Sequence, residues 1–256
     1  SQQVASYIPD ALNRLSKGNP FITIEYLRAG VEQGFFSFKS GEWFLNQEAL
    51  EKIALSESVY ELILKRVESG PPEAKKFLQY AAIIGGIFKK HDIADVLGLD
   101  LDQVDSVLST CENLALVESV NGVRWKFVHD KIPESIVNAI DKEKSKLICN
   151  QLAAHFFSKL EKSADEIYLT ARLFVNGTVE QNEKNTIKAN VLAGDCAMAN
   201  FAFYEAYSFF KVAFDLLRNQ GDEELRKSVA PKLAVCATMS DDEKMACEAI
   251  DLHIAK

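Results

Sequence analysis

The stretch Arg124–Val137 constrains the fold of this chain more than any other, because its pattern changes from that of a strand to that of a helix. Arg124–Val128 alternates polar and apolar residues and includes two aromatic residues, as half-buried strands do. Asp130 suits the N-cap of a helix, and Pro133 is tolerated only near a helix start. Helices and short strands mix before this stretch, whereas every segment after it has helical spacing. The sequence therefore predicts a mainly α fold in two differently built parts.

The size and charge of the chain limit the classes of function that it can have. Its 256 residues are 48% hydrophobic and 26% charged, which suits two or three globular domains. The formal net charge of −8 disfavours nucleic acid and anionic membrane surfaces as partners, because both bind basic faces. No apolar run approaches the ~20 residues of a membrane helix, and no signal peptide is visible. The chain begins at Ser1 in mid-pattern, so we expect a piece of a larger protein.

The cysteines indicate a reducing compartment. They are five in number, widely spaced and without a CxxC motif, and most lie in apolar helical surroundings. We expect reduced, buried thiols rather than disulfides or a zinc site, and hence a cytoplasmic protein. No metal site is predicted. The five are Cys111, Cys149, Cys196, Cys236 and Cys247.

The first half has a recognisable order of elements. A turn at 18–20 precedes a helix at 21–33 and a small hairpin at 35–45, and Ser58 with Glu61 forms a capping box that opens the next helix. Helices are then predicted at 72–84, 91–97 and 102–114, with Ile87-Phe88 as an apolar entry to the second of these. A hairpin follows around Asn121-Gly122, the strongest short-range hairpin signal. Three helices followed by a tight hairpin is the order of a winged helix.

The third of these helices does not resemble a DNA-reading helix. It carries Asp102, Asp105 and Glu112 and no Lys or Arg, whereas a recognition helix places basic or amide side chains against phosphates and base edges. We therefore expect the winged helix to contact protein. A winged-helix transcription regulator stays open as an alternative.

From Asp130 onward the sequence predicts a stack of antiparallel helix pairs. Gly194, Ala206, Phe210 and Ala213 are spaced so that two helices could approach closely, with Phe210 plugging the next layer. This spacing resembles the tetratricopeptide (TPR) repeat of about 34 residues. The predicted helices lie at 142–160, 167–174, 183–200, 204–217, 223–238 and 242–255.

Several motifs resemble, in order, those of STAND-type signalling ATPases. The segment 18–27 is similar to the signature GNPFF-x-x-E-x-L that closes the nucleotide-binding module of that family, and Phe127–Ile132 is similar to its F-x-H-D-R-I/V. The resemblance covers about residues 18 to 140, and the helical array continues it. The intervening matches are Gly41–Leu45, Ser58–Arg66 and Ala81–Gly85.

The resemblance implies a nucleotide-dependent switch. In this family a P-loop core binds ATP or ADP with Mg, while a helical lid, a winged helix and a repeat array hold the closed state. Gly18, Asn19 and Pro20 match the element whose proline lies against adenine, and His129 matches a histidine that faces the phosphates. The residues alone also allow a plain helix-breaking turn at 18–20. They equally allow a structural pair in which His129 hydrogen-bonds at the strand–helix junction and Asp130 caps the helix.

The chain lacks the motifs of a catalytic core. It has no G-x-x-x-x-G-K-[ST] phosphate loop, no Gly-rich dinucleotide loop and no catalytic cluster. We expect no catalysis and no cofactor in this chain by itself. The resemblance implies a parent ATPase whose core lies upstream, fused to a kinase, a cyclase or another output domain.

The first hypothesis is therefore a regulatory segment that couples the nucleotide state to an output. It has three expected parts: the end of a helical lid at 1–54, a winged helix at 55–129 and TPR-like repeats at 130–256. Its expected partners are the upstream P-loop core and a protein that docks on the repeats. The alternative from another class is a helical-repeat scaffold with no nucleotide role.

Overall fold

The structure, a computed structural model, describes residues 9–10, 12–34, 36–39, 42–46, 58–220 and 222–240. Within these ranges it contains twelve helices and two small antiparallel sheets, which confirms the mainly α class. Two compact units are present. One comprises Ser1–Ala94 with Leu99–Ile140, and the other comprises Asp95–Gly98 with Asp141–Lys256.

The described residues before Asp141 form seven helices and five strands. Helix α1 lies at 9–16, apart from residue 11, which is not described. The other helices are α2 (Pro20–Glu32), α3 (Val59–Ser69), α4 (Pro72–Ile84), α5 (Lys90–Leu97), α6 (Leu101–Asn113) and α7 (Lys131–Ala139). The strands are β1 (Phe36–Lys39), β2 (Glu42–Leu45), β3 (Ile87–Lys89), β4 (Val117–Ser119) and β5 (Arg124–Phe127).

The three-stranded sheet has the order β3-β5-β4, and both pairings are antiparallel. Its inner face is apolar: Phe88 on β3 and Phe127 on β5 are buried, with ring centroids 5.8 Å apart. Phe77 on α4 meets Phe88 edge to face at 6.1 Å. The alternating pattern at Arg124–Val128 is thus confirmed as a strand with one buried face.

Strand β3 was not expected, because Ile87-Phe88 had been assigned to a helix entry. Three residues are too few to show a period of two, and the strand exists only because β5 pairs with it. The separate hairpin of β1 and β2 is confirmed, with Phe36 opposite Leu45. Its predicted turn falls at residues 40 and 41, which lie outside the described residues.

Helix α7 packs on α4 and α3, and so lies in the first compact unit. Ile132 and Ile136 fill its buried face. Two capping boxes fix other helix starts in this unit. Ser58 and Glu61 bond reciprocally at 3.3 and 2.6 Å, as predicted, and Asp100 with Gln103 does the same for α6.

The second unit is a series of helices in which each packs on the next. They are α8 (Lys142–Ser158), α9 (Ala164–Asn176), α10 (Val179–Ala199), α11 (Phe203–Gln220) and α12 (Glu223–Met239). Helices α9 and α10 begin earlier than predicted, because Ser163 caps α9 and a kink at Asn182 joins an extra turn to α10. The helix expected at 242–255 lies outside the described residues.

The predicted close approach of two helices is confirmed between α10 and α11. A Cβ added at Gly194 would lie 2.6 to 2.8 Å from three ring atoms of Phe210, so only glycine fits there without a shift. Ala206, Phe210 and Ala213 on α11 are all fully buried. The Phe210 side chain therefore fills the space that the missing Gly194 side chain leaves.

A polar clamp joins α8 to the loop before α10. The side-chain Oδ1 of Asn150 accepts the Thr178 N–H at 2.9 Å, and its Nδ2 donates to Thr178 Oγ1 at 3.1 Å. The Asn182 side chain also donates to Asn150 Oδ1, at 3.3 Å. These bonds provide hydrogen-bond partners for Thr178, the N-cap residue of α10, whose own side chain makes no cap bond.

Candidate functional site

The turn at Gly18, Asn19 and Pro20 is built to start helix α2. Gly18 has φ +77°, which favours glycine. The Asn19 side chain accepts the N–H groups of Phe21 at 3.0 Å and Ile22 at 3.3 Å. Pro20 occupies the first helical position, where its missing N–H is not needed, and it is exposed. The turn is therefore a well-satisfied N-terminus with a proline on its surface.

The two sequence motifs at the ends of the first unit meet in space. The Phe21 ring, which follows Pro20, stacks on the His129 ring with centroids 3.7 Å apart and an interplanar angle of 12°. The first residue comes from the start of α2 and the second from the junction of β5 and α7. Of the candidate site residues, His129 thus contacts the residue that directly follows the segment 18–20, and this aromatic contact connects the two motifs.

The hydrogen bonds of His129 define its tautomer. Its Nδ1 accepts the backbone N–H of Lys131 at 3.1 Å. Nδ1 therefore carries no proton in this geometry, and the neutral ring carries its proton on Nε2. Among the residues that the structure describes, Nε2–H has no acceptor. The half-buried imidazole is a fixed ring with one hydrogen-bond donor available.

His129 also does what was expected of Asp130. Asp130 lies at the N-cap of α7, but its side chain makes no cap bond, which corrects the prediction. Its backbone is already helical, with φ −62° and ψ −25°, whereas a capping side chain requires an extended N-cap. The imidazole accepts the N–H of Lys131 instead, so His129 fixes the start of α7.

A surface cluster of Tyr60, Lys131 and Glu134 ties α3 to α7. Lys131 Nζ donates to Glu134 Oε2 at 2.7 Å and to the Tyr60 hydroxyl at 3.0 Å, and that hydroxyl donates to Glu134 Oε1 at 2.8 Å. The bonds to Glu134 and Tyr60 raise the pKa of Lys131, and the same cluster lowers the pKa of Glu134. The cluster was not predicted, since no local pattern in the sequence links Tyr60 to α7.

A buried ion pair joins α2 to α3. Arg66 Nη1 lies 3.1 Å from Glu25 Oε1, and the two side chains are 5% and 3% exposed. Arg28 Nη1 reaches the same oxygen at 3.3 Å. Burial lowers the pKa of the Arg66 guanidinium, and the Glu25 carboxylate opposes that shift. Glu25 belongs to the motif at 18–27, but its partner has no signal in the sequence.

The groups that meet at this site can form binding contacts. It offers an exposed proline, an aromatic–imidazole stack and one ring N–H donor. Within the described ranges, no group of three or more His, Cys, Asp or Glu residues could hold a metal ion. The described cysteines are free thiols, and Cys111, Cys149 and Cys236 are buried; Cys247 lies outside the described residues. No helix in the described part of the chain is long and apolar enough to cross a membrane.

Comparison of the chain with models of protein families, with curated proteins and with solved structures finds no match. The geometry of this site and the two motifs that converge there are therefore the features that bear on function. The residues that carry these features are Pro20, Phe21 and His129.

Proposed function

We propose that this chain is a regulatory segment of a STAND-type signalling ATPase, coupling the ATP or ADP state of an upstream P-loop core to a signalling output. The observation that carries the proposal is the stack of Phe21 on His129 at 3.7 Å. Two motifs that resemble one family, and that are far apart in sequence, form one surface. A chance resemblance would give no reason for the two to meet.

The chemistry of that surface suits a nucleotide. The exposed Pro20 ring is a flat apolar face without an N–H, which could lie against an adenine base. The Nε2–H of His129 could donate to a phosphate oxygen, and the bond from the Lys131 N–H to Nδ1 holds the ring in one orientation. The remaining nucleotide contacts would come from the upstream core.

The order of elements supports a winged-helix domain in the first unit. The order matches that of the fold: helix α4 is followed by β3, then come α5 and α6, and the hairpin of β4 and β5 comes last. The exposed Asp102, Asp105 and Glu112 of α6 favour a protein contact over DNA, and Asp105 already pairs with Lys90. Nucleic acid is not part of the proposal.

The packing of α10 on α11 supports a TPR-like array in the second unit. Gly194 against Phe210, with Ala206 and Ala213 beside it, is the close approach that such repeats require. We propose that this array receives a protein partner.

Calorimetric titration with ADP tests the nucleotide role. We expect no binding to the chain alone and binding to a version extended upstream by the ATPase core. In the extended protein, Pro20→Ala and His129→Ala should each weaken binding about tenfold, which corresponds to one good contact. The matched controls are Pro72→Ala, also an exposed proline at a helix start, and His91→Ala, an exposed histidine. Unchanged affinity in both site variants would refute the nucleotide contact.

A further inference from the structure

One face of helix α2 carries two kinds of contact with the rest of the first unit. Phe21, Glu25 and Arg28 follow each other at helical spacing and so share a face. Phe21 contacts His129 at the start of α7, and Glu25 contacts Arg66 on α3. This face of the helix therefore contributes an aromatic stack at its N-terminus and an ion pair one turn later, beside its apolar contacts with the rest of the unit.

The ion pair is incompletely satisfied. Two guanidinium groups, those of Arg66 and Arg28, share the single oxygen Oε1 of Glu25. Nε and Nη2 of Arg66 are buried and have no hydrogen-bond partner in the part of the chain that the structure describes. These two atoms form the edge of a guanidinium that ordinarily binds a carboxylate in a bidentate manner.

Such a pair stabilises the docked helix poorly. Charges lose hydration on burial, and their attraction repays that loss only when the remaining donors and acceptors are also satisfied. Separation of α2 from α3 would return water to Glu25, Arg28 and Arg66 together. The docked state therefore carries a desolvation cost that the separated state does not.

In the described part of the chain the apolar contact beside the pair is small, whereas α3 is firmly attached elsewhere. The cluster there has four buried members, with Leu15, Ile22 and Leu27 partly buried against them: Leu12, Tyr26, Ala29 and Leu62. On α3, Ile63 and Val67 are buried in the unit, and Tyr60 bonds to Lys131 and Glu134 of α7. When the contact between α2 and α3 opens, we therefore expect α3 to remain packed in the unit and α2 to separate from it.

We propose that α2 is a detachable helix and that the Glu25–Arg66 pair is its release element, keeping the contact with α3 reversible. Departure of α2 would also separate Phe21 from His129. The inference concerns the chain by itself, without nucleotide, so it stands or fails independently of the ADP titration.

Hydrogen–deuterium exchange followed by mass spectrometry tests the proposal on the 256-residue chain. The decisive variant is Glu25→Leu with Arg66→Met, which replaces the pair by apolar side chains of similar size. Exchange in peptides from α2 should become at least about fivefold slower, because apolar replacement of a buried pair commonly stabilises the contact. Exchange in α4 should not change and serves as the check of folding.

Two further variants make the result specific. Glu25→Gln leaves Arg66 buried beside a neutral partner, and exchange in α2 should become about tenfold faster or more. The matched control is Glu223→Leu with Arg226→Met, a Glu–Arg pair of α12 whose side chains are 50% and 33% exposed, which should leave exchange in α2 unchanged.

The proposal is overturned if the double variant exchanges in α2 as fast as the wild type, or faster, while α4 stays protected. If the double variant exchanges faster in α4 too, it has lost its fold, and the Glu25→Gln variant provides the test instead. Unchanged or slower exchange of α2 in that variant overturns the release role.

Discussion

The side-chain oxygen of Asn150 lies where a side chain on Gly177 would have to go. A Cβ built at Gly177 would be 2.1 Å from Asn150 Oδ1, the atom that accepts the Thr178 N–H at 2.9 Å. Glycine is needed at this position for the space and not for its backbone conformation. The clamp between α8 and α10 thus depends on the absence of one methyl group.

Gly177→Ala should destabilise the second unit by about 1–3 kcal/mol, because the methyl group displaces Asn150 and leaves half-buried polar groups unpaired. Thermal unfolding followed by circular dichroism measures the effect. In an Asn150→Ala background the same substitution should cost much less, since the clashing atom is gone. An equal cost in both backgrounds would contradict the explanation.

Phe210→Ala should destabilise the chain by about 3–5 kcal/mol, because it removes a fully buried ring and leaves a cavity above Gly194. Urea denaturation measures the loss. Phe201→Ala is the matched control, since this phenylalanine is 81% exposed and its removal should change stability little. A loss near zero for Phe210→Ala would refute the assignment of this ring to the helix–helix core.

The Tyr60–Lys131–Glu134 cluster should make a small, pH-dependent contribution to stability. The pKa of Glu134 is lower in the folded chain, so its contribution is present above the ordinary glutamate pKa and is lost as the pH falls through the lowered value. Because the pKa of Lys131 is raised in the folded chain, the contribution of Lys131 to stability is lost only at alkaline pH. Glu134→Gln should therefore reduce the fall in melting temperature on acidification from about pH 5 to pH 3.

The effect of Glu134→Gln should be modest, because the cluster is exposed and screened by solvent. Glu112→Gln on the exposed face of α6 is the control. An equal fall in melting temperature on acidification for the wild type and for Glu134→Gln would exclude a pH-dependent role for the cluster.

Cys111 should resist alkylation in the folded chain. Burial raises the pKa of its thiol to about 12, so almost no thiolate forms near neutral pH. Cys196 is only half-buried and should react with iodoacetamide first among the described cysteines. Mass spectrometry of alkylated peptides measures the order, and labelling in urea provides the reference. Equal rates for Cys111 and Cys196 in the native chain would contradict the burial of Cys111.

Local patterns predicted the elements, whereas contacts between distant residues stayed hidden. The capping box of Ser58 with Glu61 and the close fit of Gly194 to Phe210 were visible, since both depend on spacing along one or two helices. Strand β3 was missed because its hydrogen bonds come from β5. Residue preference alone predicted that the Asp130 side chain caps α7. Because the backbone of Asp130 is already helical, the His129 side chain accepts the first N–H instead.

The candidate site shows the same limit. The motifs at 18–27 and 127–132 could be recognised in the sequence. The stacking of Phe21 on His129 could not be predicted from it. The pairing of Glu25 with Arg66 was equally invisible, because a buried charge has a partner only in the folded chain. Sequence patterns predicted which residues are candidates for the site, and the fold determines which of them meet.

The strand order β3-β5-β4 has a consequence for the synthesis and dissection of this protein. The middle strand is the last of the three to leave the ribosome, so β3 and β4 have no partner until residue 127 is made. Until then the Phe88 ring has no sheet to cover it. Any shortened version that ends before Arg124 would expose two unpaired strands and invite aggregation. Truncations meant to isolate the first unit should therefore end after Ile140.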